Sequence, residues 1–295
     1  MPTARHVYAV GVRNETFSDS ARPTPANGSY PGSPSRTLPT VIWYPARGAA
    51  GGAAQPNATA ASGRFPLILF AHGDSSSGPD NEPLLRQLAA EGYVVAAPTF
   101  PLSSKGAPGG HVITDYIHQP GDLSFVLSST LRLGRPGAPI RNAIDPTRVG
   151  IMGDSLGATT ALGVAANSCC FDRRIRAVAL IAGIELPFPN GTYFSTPRLP
   201  LLIIHSDTDP RVPYTAGQQI FADAPSPKFF VTLHGAPHTA FRQSSTAAQP
   251  APPWEPVIVG TVTDFFDHFL KGHPAALARL ATDATVSGVA SFQRG

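Results

Sequence analysis

The sequence predicts a single α/β domain built on a mostly parallel central sheet with helices on both faces. Three observations carry that expectation. From residue 65 onward, apolar runs of about four to eight residues alternate with helical stretches, which is the pattern of βαβ units. No run approaches the ~18 apolar residues of a membrane span, and no segment repeats. The 295 residues are 42% hydrophobic with a mean hydropathy of −0.01, enough to fill a core and too apolar for a disordered chain.

Residues 6–13 and 37–44 are rich in β-branched and aromatic side chains and predict two strands. Around them, 18–36 and 47–63 are dense in Pro, Gly, Ala and Ser and predict surface loops. The apolar runs 66–71, 93–97, 148–152, 175–182, 199–204 and 228–233 predict buried central strands. Helical patterns at 82–91, 120–133, 156–167, 214–222 and 256–271 lie between and after them, and right-handed crossovers place these on both faces. Nothing after residue 65 reads as an interdomain linker. The whole chain, 1–295, is therefore expected to form one domain: a β-rich and loop-rich extension over 1–64, a core over 65–271 and a weakly patterned tail over 272–295.

Composition narrows the functions. Charged residues are only 14%, below the ~25% of ordinary domains, and the net charge of +3 and pI of 9.0 come from scattered arginines. Nucleic-acid binding needs a basic stripe with interleaved aromatics, and none is present. The two cysteines, Cys169 and Cys170, are adjacent, which excludes a disulfide framework and a cysteine-rich metal site. They either remain thiols or close a small ring, in a half-buried pair without chemistry. Arg5, Arg13, Glu15, Asp19 and Arg22 interrupt the first thirty residues, so no signal peptide is expected there; the chain reads as cytoplasmic, or as the trimmed form of a secreted protein.

The chemistry concentrates at Gly153-Asp154-Ser155-Leu156-Gly157, which lies between a predicted strand, RVGIM, and a predicted helix, LGATTALGVAAN. A serine on such a sharp strand-to-helix turn has its hydroxyl exposed above a helix N-terminus, and the flanking glycines leave room for the turn. A serine hydroxyl at neutral pH needs a base, and the base needs an acid to orient it. After the strand LPLLII comes His205-Ser206-Asp207-Thr208-Asp209, and after KFFVTL comes His234-Gly235-Ala236-Pro237-His238. Both segments leave the C-terminal edge of the sheet, where open α/β sheets place their sites. Asp209 is the expected acid, with Asp207 as a turn-forming residue, and His238 is the expected base. His234 belongs to the strand end, His268 to the final helix, and His205 shapes the acid loop. The developing oxyanion needs two backbone donors. Leu156 supplies one; Asp74, in the loop Ala71-His72-Gly73-Asp74 after the strand PLILFA, supplies the other, with His72 bonding loop carbonyls. The stretch 184–198 is the expected lid or pocket wall and is short, leaving an open groove that Phe100, Tyr193, Phe194 and Phe241 are expected to line.

From residue 37 to 271 these motifs resemble an α/β-hydrolase. The HG pair at 72, GYVVAAPTFP at 92–101, DLSFVL at 122–127, DPTRVGIMGDSLG at 145–157 and PLLIIHSDTDPRVPY at 200–214 resemble dienelactone-hydrolase-like bacterial esterases. The opening segment is similar to bacterial relatives of platelet-activating-factor acetylhydrolase, and the acid and base spacing is similar to cutinase-like polyester hydrolases. The resemblance implies hydrolysis of carboxylic esters, short-chain or polymeric, through an acyl-serine, with no metal or organic cofactor. An amidase or thioesterase using the same triad, and a non-catalytic scaffold, are the alternatives. Three departures stand out. Asp154 replaces the His or aromatic these families carry before the serine. The strand IRAVALIAG ends with only Glu185 nearby, where the acetylhydrolases place their acid. Dienelactone hydrolases proper use cysteine in place of serine.

Overall fold

The structure, a computed structural model, describes residues 7–242 and 252–295. The first predicted strand therefore has His6 outside the described residues. Its remainder and the second form β1 (Ala9–Asp19) and β2 (Arg36–Ala46), an antiparallel pair in register over their full length. A two-residue strand, β3 (Gln55–Pro56), adds to the outer edge of β1.

Each predicted central strand forms, shifted by a few residues at the ends. These are β4 (Phe65–Ala71), β5 (Val94–Pro98), β6 (Ile144–Asp154), β7 (Ile175–Ile181), β8 (Leu201–Ser206) and β9 (Lys228–Leu233). The helices follow suit: α1 (Glu82–Ala90), α2 (Gln119–Leu133), α3 (Leu156–Ala166), α4 (Tyr214–Asp223) and α5 (Trp254–Phe269). The tail departs from the expectation. It forms α6 (Ala276–Asp283) and β10 (Ala290–Arg294), which pairs antiparallel with β9 and closes that edge of the sheet.

The ten strands run in the order β10-β9-β8-β7-β6-β4-β5-β2-β1-β3, with β4 to β9 parallel to one another. Alternation along each strand builds two cores. Ile68 and Phe70 of β4 face α1, α5 and α6, whereas Leu67, Leu69 and Ala71 face α2, α3 and α4. Because the order reverses between β4 and β6, the helices that follow these two strands diverge to opposite faces, and a crevice opens at their C-terminal ends. Helix α3, which starts at that crevice, is buried almost all round; its Gly and Ala residues let it lie close to the sheet.

The N-terminal extension is tied in by charge. Arg36 at the start of β2 is fully buried and donates to both oxygens of Asp115 and both of Asp122, while Arg22 pairs with Asp19 and Asp122. Burial opposes the Arg36 charge, yet the two carboxylates outweigh it and hold the guanidinium pKa above its ordinary value. Cys169 and Cys170, just past α3, are joined as a disulfide.

Candidate active site

Ser155 sits between β6 and α3 with φ 52° and ψ −121°, a left-handed backbone that a non-glycine residue adopts only under constraint. The surroundings supply it. Ser155 N–H donates to the carbonyl of Ile181 on β7 (2.8 Å). A Cβ at Gly153 would lie 2.3 Å from the Gly157 carbonyl oxygen, and one at Gly157 would lie 2.0 Å from that of Ala71. The turn is closed by backbone on backbone, with no side chain able to give way, so both glycines are obligatory. Ser155 is half-buried amid buried neighbours.

Two Asp–His pairs form at the same sheet edge. Asp209 accepts from His238 Nδ1 (2.7 Å), and both side chains are nearly inaccessible, 1% and 8% exposed. Asp207 accepts from His234 Nδ1 at the same distance, but that pair is 34% and 40% exposed. Asp207, expected only as a turn-forming residue, takes both the Gly235 N–H and this imidazole from the neighbouring loop. Burial pushes the Asp209 carboxyl up, but the bonds from His238, Val212 N–H and Arg211 N–H together outweigh it and hold the pKa below the ordinary carboxylate value. Asp209 therefore stays ionised and accepts from Nδ1 of His238, which leaves Nε2 as the ring nitrogen not engaged by the acid. Among the described residues the Ser155 hydroxyl makes no hydrogen bond to His238.

His205 shapes the acid loop as expected, its Nε2 donating to the Val212 carbonyl (3.0 Å), and burial lowers its pKa. Ser206 was not singled out by the sequence. Its hydroxyl donates to the Ala236 carbonyl (2.7 Å) and so ties the acid loop to the base loop.

On the other side of Ser155, the loop after β4 is pinned at several points. His72 accepts the Phe100 N–H at Nε2 (2.9 Å), so Nδ1 carries the proton and donates to the Gly73 carbonyl (2.8 Å). A Cβ at Gly73 would lie 3.1 Å from that of Ser155, which sets this loop directly over the serine. Ser75 N–H donates to Ser103, whose hydroxyl accepts from Gln119, which accepts from Thr160 one turn into α3. These polar residues carry no sequence signature, and only the fold brings them together. The backbone N–H groups of Asp74 and Leu156 have no partner among the described residues. The Asp74 carboxylate faces His111 (3.1 Å).

Of the four aromatics expected to line a groove, Phe100 borders an open cleft, and the other three pack elsewhere. Phe100 is fully buried with its ring 4.8 Å from that of His72, and Phe241 is buried in the core shared with α1 and α5. Tyr193 and Phe194 pack at the far end of α3, where Phe194 N–H donates to Ala166; eleven helical residues put that end roughly 16 Å from the serine. The whole stretch 184–198 runs along α3, held by Thr159 to the Ile184 carbonyl (2.6 Å) and by Tyr116 to the Pro187 carbonyl. An open cleft of about 740 Å³ lies beside the loop after β4, lined in part by Phe100 together with Tyr30, Thr37, Ser77, Asp80 and Thr99. Among the described residues no group of His, Cys, Asp and Glu is arranged to hold a metal ion, and no helix is long and apolar enough to cross a membrane.

No protein-family model and no curated protein matches this chain. Solved structures do. A ferulic acid esterase from Streptomyces cinnamoneus superposes with a TM-score of 0.73 over 100% of this chain and 98% of its own, at 21% identity. The chain has the α/β-hydrolase fold. At that identity the likeness is one of architecture, and the residues around Ser155 must carry any argument about chemistry.

Proposed function

We propose that the protein is a serine hydrolase of carboxylic esters, with Ser155 as nucleophile, His238 as general base and Asp209 as the acid that orients it. The observation that carries this reading is the buried Asp209–His238 pair at 2.7 Å on the sheet edge where Ser155 is held in a strained turn. His238 Nε2 takes the Ser155 proton as Oγ attacks the ester carbonyl carbon, and Asp209 stabilises the imidazolium. The tetrahedral oxyanion is received by the Asp74 and Leu156 N–H groups, which have no competing partner among the described residues. Collapse expels the alcohol, which leaves with the proton from His238. Water, deprotonated by the same nitrogen, then cleaves the acyl-serine and restores the hydroxyl.

The motif resemblance to dienelactone-hydrolase-like and cutinase-like enzymes and the esterase named for the structural neighbour support esters over amides and thioesters. The stretch 184–198 is short and is tied along α3 by Thr159 at its start and Ala166 toward its end, which favours short or exposed ester groups, polyester chains included. The test is hydrolysis of p-nitrophenyl esters from acetate to palmitate together with methyl ferulate, for the wild type and Ser155→Ala. Turnover of short esters that vanishes in the variant is the expected result. Undiminished turnover in Ser155→Ala, or none in the wild type with labelled fluorophosphonate failing to attach to Ser155, overturns the proposal.

A further inference from the structure

Asp154 precedes the serine and is fully buried, at a position where no step of the proposed mechanism uses a carboxylate. Its Oδ1 accepts the backbone N–H of Gly73 across the crevice (3.1 Å), joining the end of β6 to the loop after β4. The contact is close along its whole length, since a Cβ at Gly73 would lie 2.7 Å from Asp154 Oδ2 and 3.2 Å from its carbonyl oxygen. Gly73 is held from its other side as well, because its carbonyl accepts from His72 Nδ1 (2.8 Å).

These two anchors act on the two peptide planes that meet at Gly73. The His72 bond fixes the direction of the Gly73 carbonyl. In a planar trans peptide the next N–H, that of Asp74, points opposite to that carbonyl and so is fixed with it. The Asp154 bond fixes the preceding plane, and so removes the rotation about Gly73 φ that a glycine otherwise permits freely.

We propose that Asp154 is a positioning residue: it braces Gly73 so that the Asp74 N–H is held aimed at the oxyanion above Ser155. This rests on the esterase reading above. Asp154 takes the Gly73 N–H, and the adjacent Asp74 N–H is left for the substrate. Loss of the brace leaves the ground state bound but lets the donor wander, and displacement of a catalytic group by about 1 Å costs on the order of 100-fold.

The experiment compares Asp154→Asn, which keeps an oxygen acceptor at the same reach, with Asp154→Ala, which has none. Asp154→Ser, too short to span the gap, replaces Ala should that variant not fold. The Asn variant is expected to keep kcat within about 3-fold of wild type, while Ala or Ser loses about 10- to 100-fold in kcat with KM little changed. Affinity for an alkyl boronic acid, which forms a tetrahedral adduct on the serine, should fall in parallel. Gly73 amide hydrogen exchange, read by NMR, should be slow in wild type and Asn and fast in Ala or Ser. That readout needs no turnover, so it decides whether the brace exists even if the protein proves not to be an esterase. Unchanged kcat in Ala, an Asn variant as impaired as Ala, a loss confined to KM, or an equally protected Gly73 amide in all variants overturns the assignment.

Discussion

Replacing Arg36 by Met tests how the N-terminal extension is held to the rest of the molecule. The guanidinium makes four hydrogen bonds, at 2.7 and 2.6 Å to Asp122 and at 3.1 and 2.9 Å to Asp115, and none of the three side chains touches solvent. Methionine keeps much of the volume but leaves two buried carboxylates with only the half-exposed Arg22 beside Asp122. Breaking a buried network by removing one partner costs about 3–5 kcal/mol. At roughly 2–4 °C per kcal/mol that is a fall in Tm on the order of 10 °C, readable by scanning calorimetry or urea denaturation. The deficit should depend on pH. Burial already pushes the Asp122 carboxyl above its ordinary 3.8, against the pull of Arg36, and loss of Arg36 pushes it further. A carboxyl raised by folding costs stability only where it is ionised, so the penalty is absent below the unfolded value and complete above the folded one. Arg36→Met should therefore lose most relative to wild type at pH 8 and least toward pH 4. A triple variant that also changes Asp115 and Asp122 to Leu should recover most of the loss. A single-variant loss under about 1 kcal/mol, or a triple variant no better than the single, would refute the reasoning.

Three further outcomes are expected. Asp209→Asn should lower kcat on the order of 1000-fold or more, whereas Asp207→Ala and His234→Ala should leave ester hydrolysis within about 2-fold, since the second pair is half-exposed; equal losses at the two pairs would contradict the assignment of the base. Gly157→Ala should abolish the folded elbow, because its Cβ would stand 2.0 Å from a backbone oxygen, and soluble, active Gly157→Ala protein would show that the turn is more pliable than described. Glu185 is pushed up to about 7 by burial and the Asp223 carboxylate, so its ionisation costs stability that builds from about pH 4.5 to pH 7. Glu185→Gln should gain about 1 kcal/mol at pH 8, after allowance for partial solvent screening, and nothing at pH 4; equal midpoints in urea at pH 8 would remove this account.

The fold was largely legible because a parallel sheet buried on both faces writes its strands as short apolar runs, and each such run is a strand here. The tail was not. Its helix α6 buries only Ala276 and Leu280, and β10 pairs through main-chain bonds that leave a weak side-chain pattern. At the candidate site, Ser155, Asp209 and His238 announced themselves by lying just past apolar runs, and the structure joins the last two. The groove residues were read from aromatic character alone. Whether an aromatic beside a loop faces solvent or core depends on packing from distant elements, which is why Phe100, against His72, borders the open cleft while Tyr193 packs at the far end of α3. Gln119, Thr160 and Ser103 were invisible for the same reason.

The two margins of the sheet bear on how the molecule behaves when crowded. An unpaired strand is a template for another chain, and long, flat, apolar edges invite aggregation. At one margin the outermost strand, β3, is two residues long and ends in Pro56, which has no N–H to offer, while the part of β1 it leaves uncovered carries Arg13, Asn14 and Glu15. At the other, β10 spans five residues and finishes in Gln293 and Arg294. Neither margin offers a continuous apolar ladder, and the charged and polar side chains on the uncovered strand ends oppose strand-to-strand extension by a second copy.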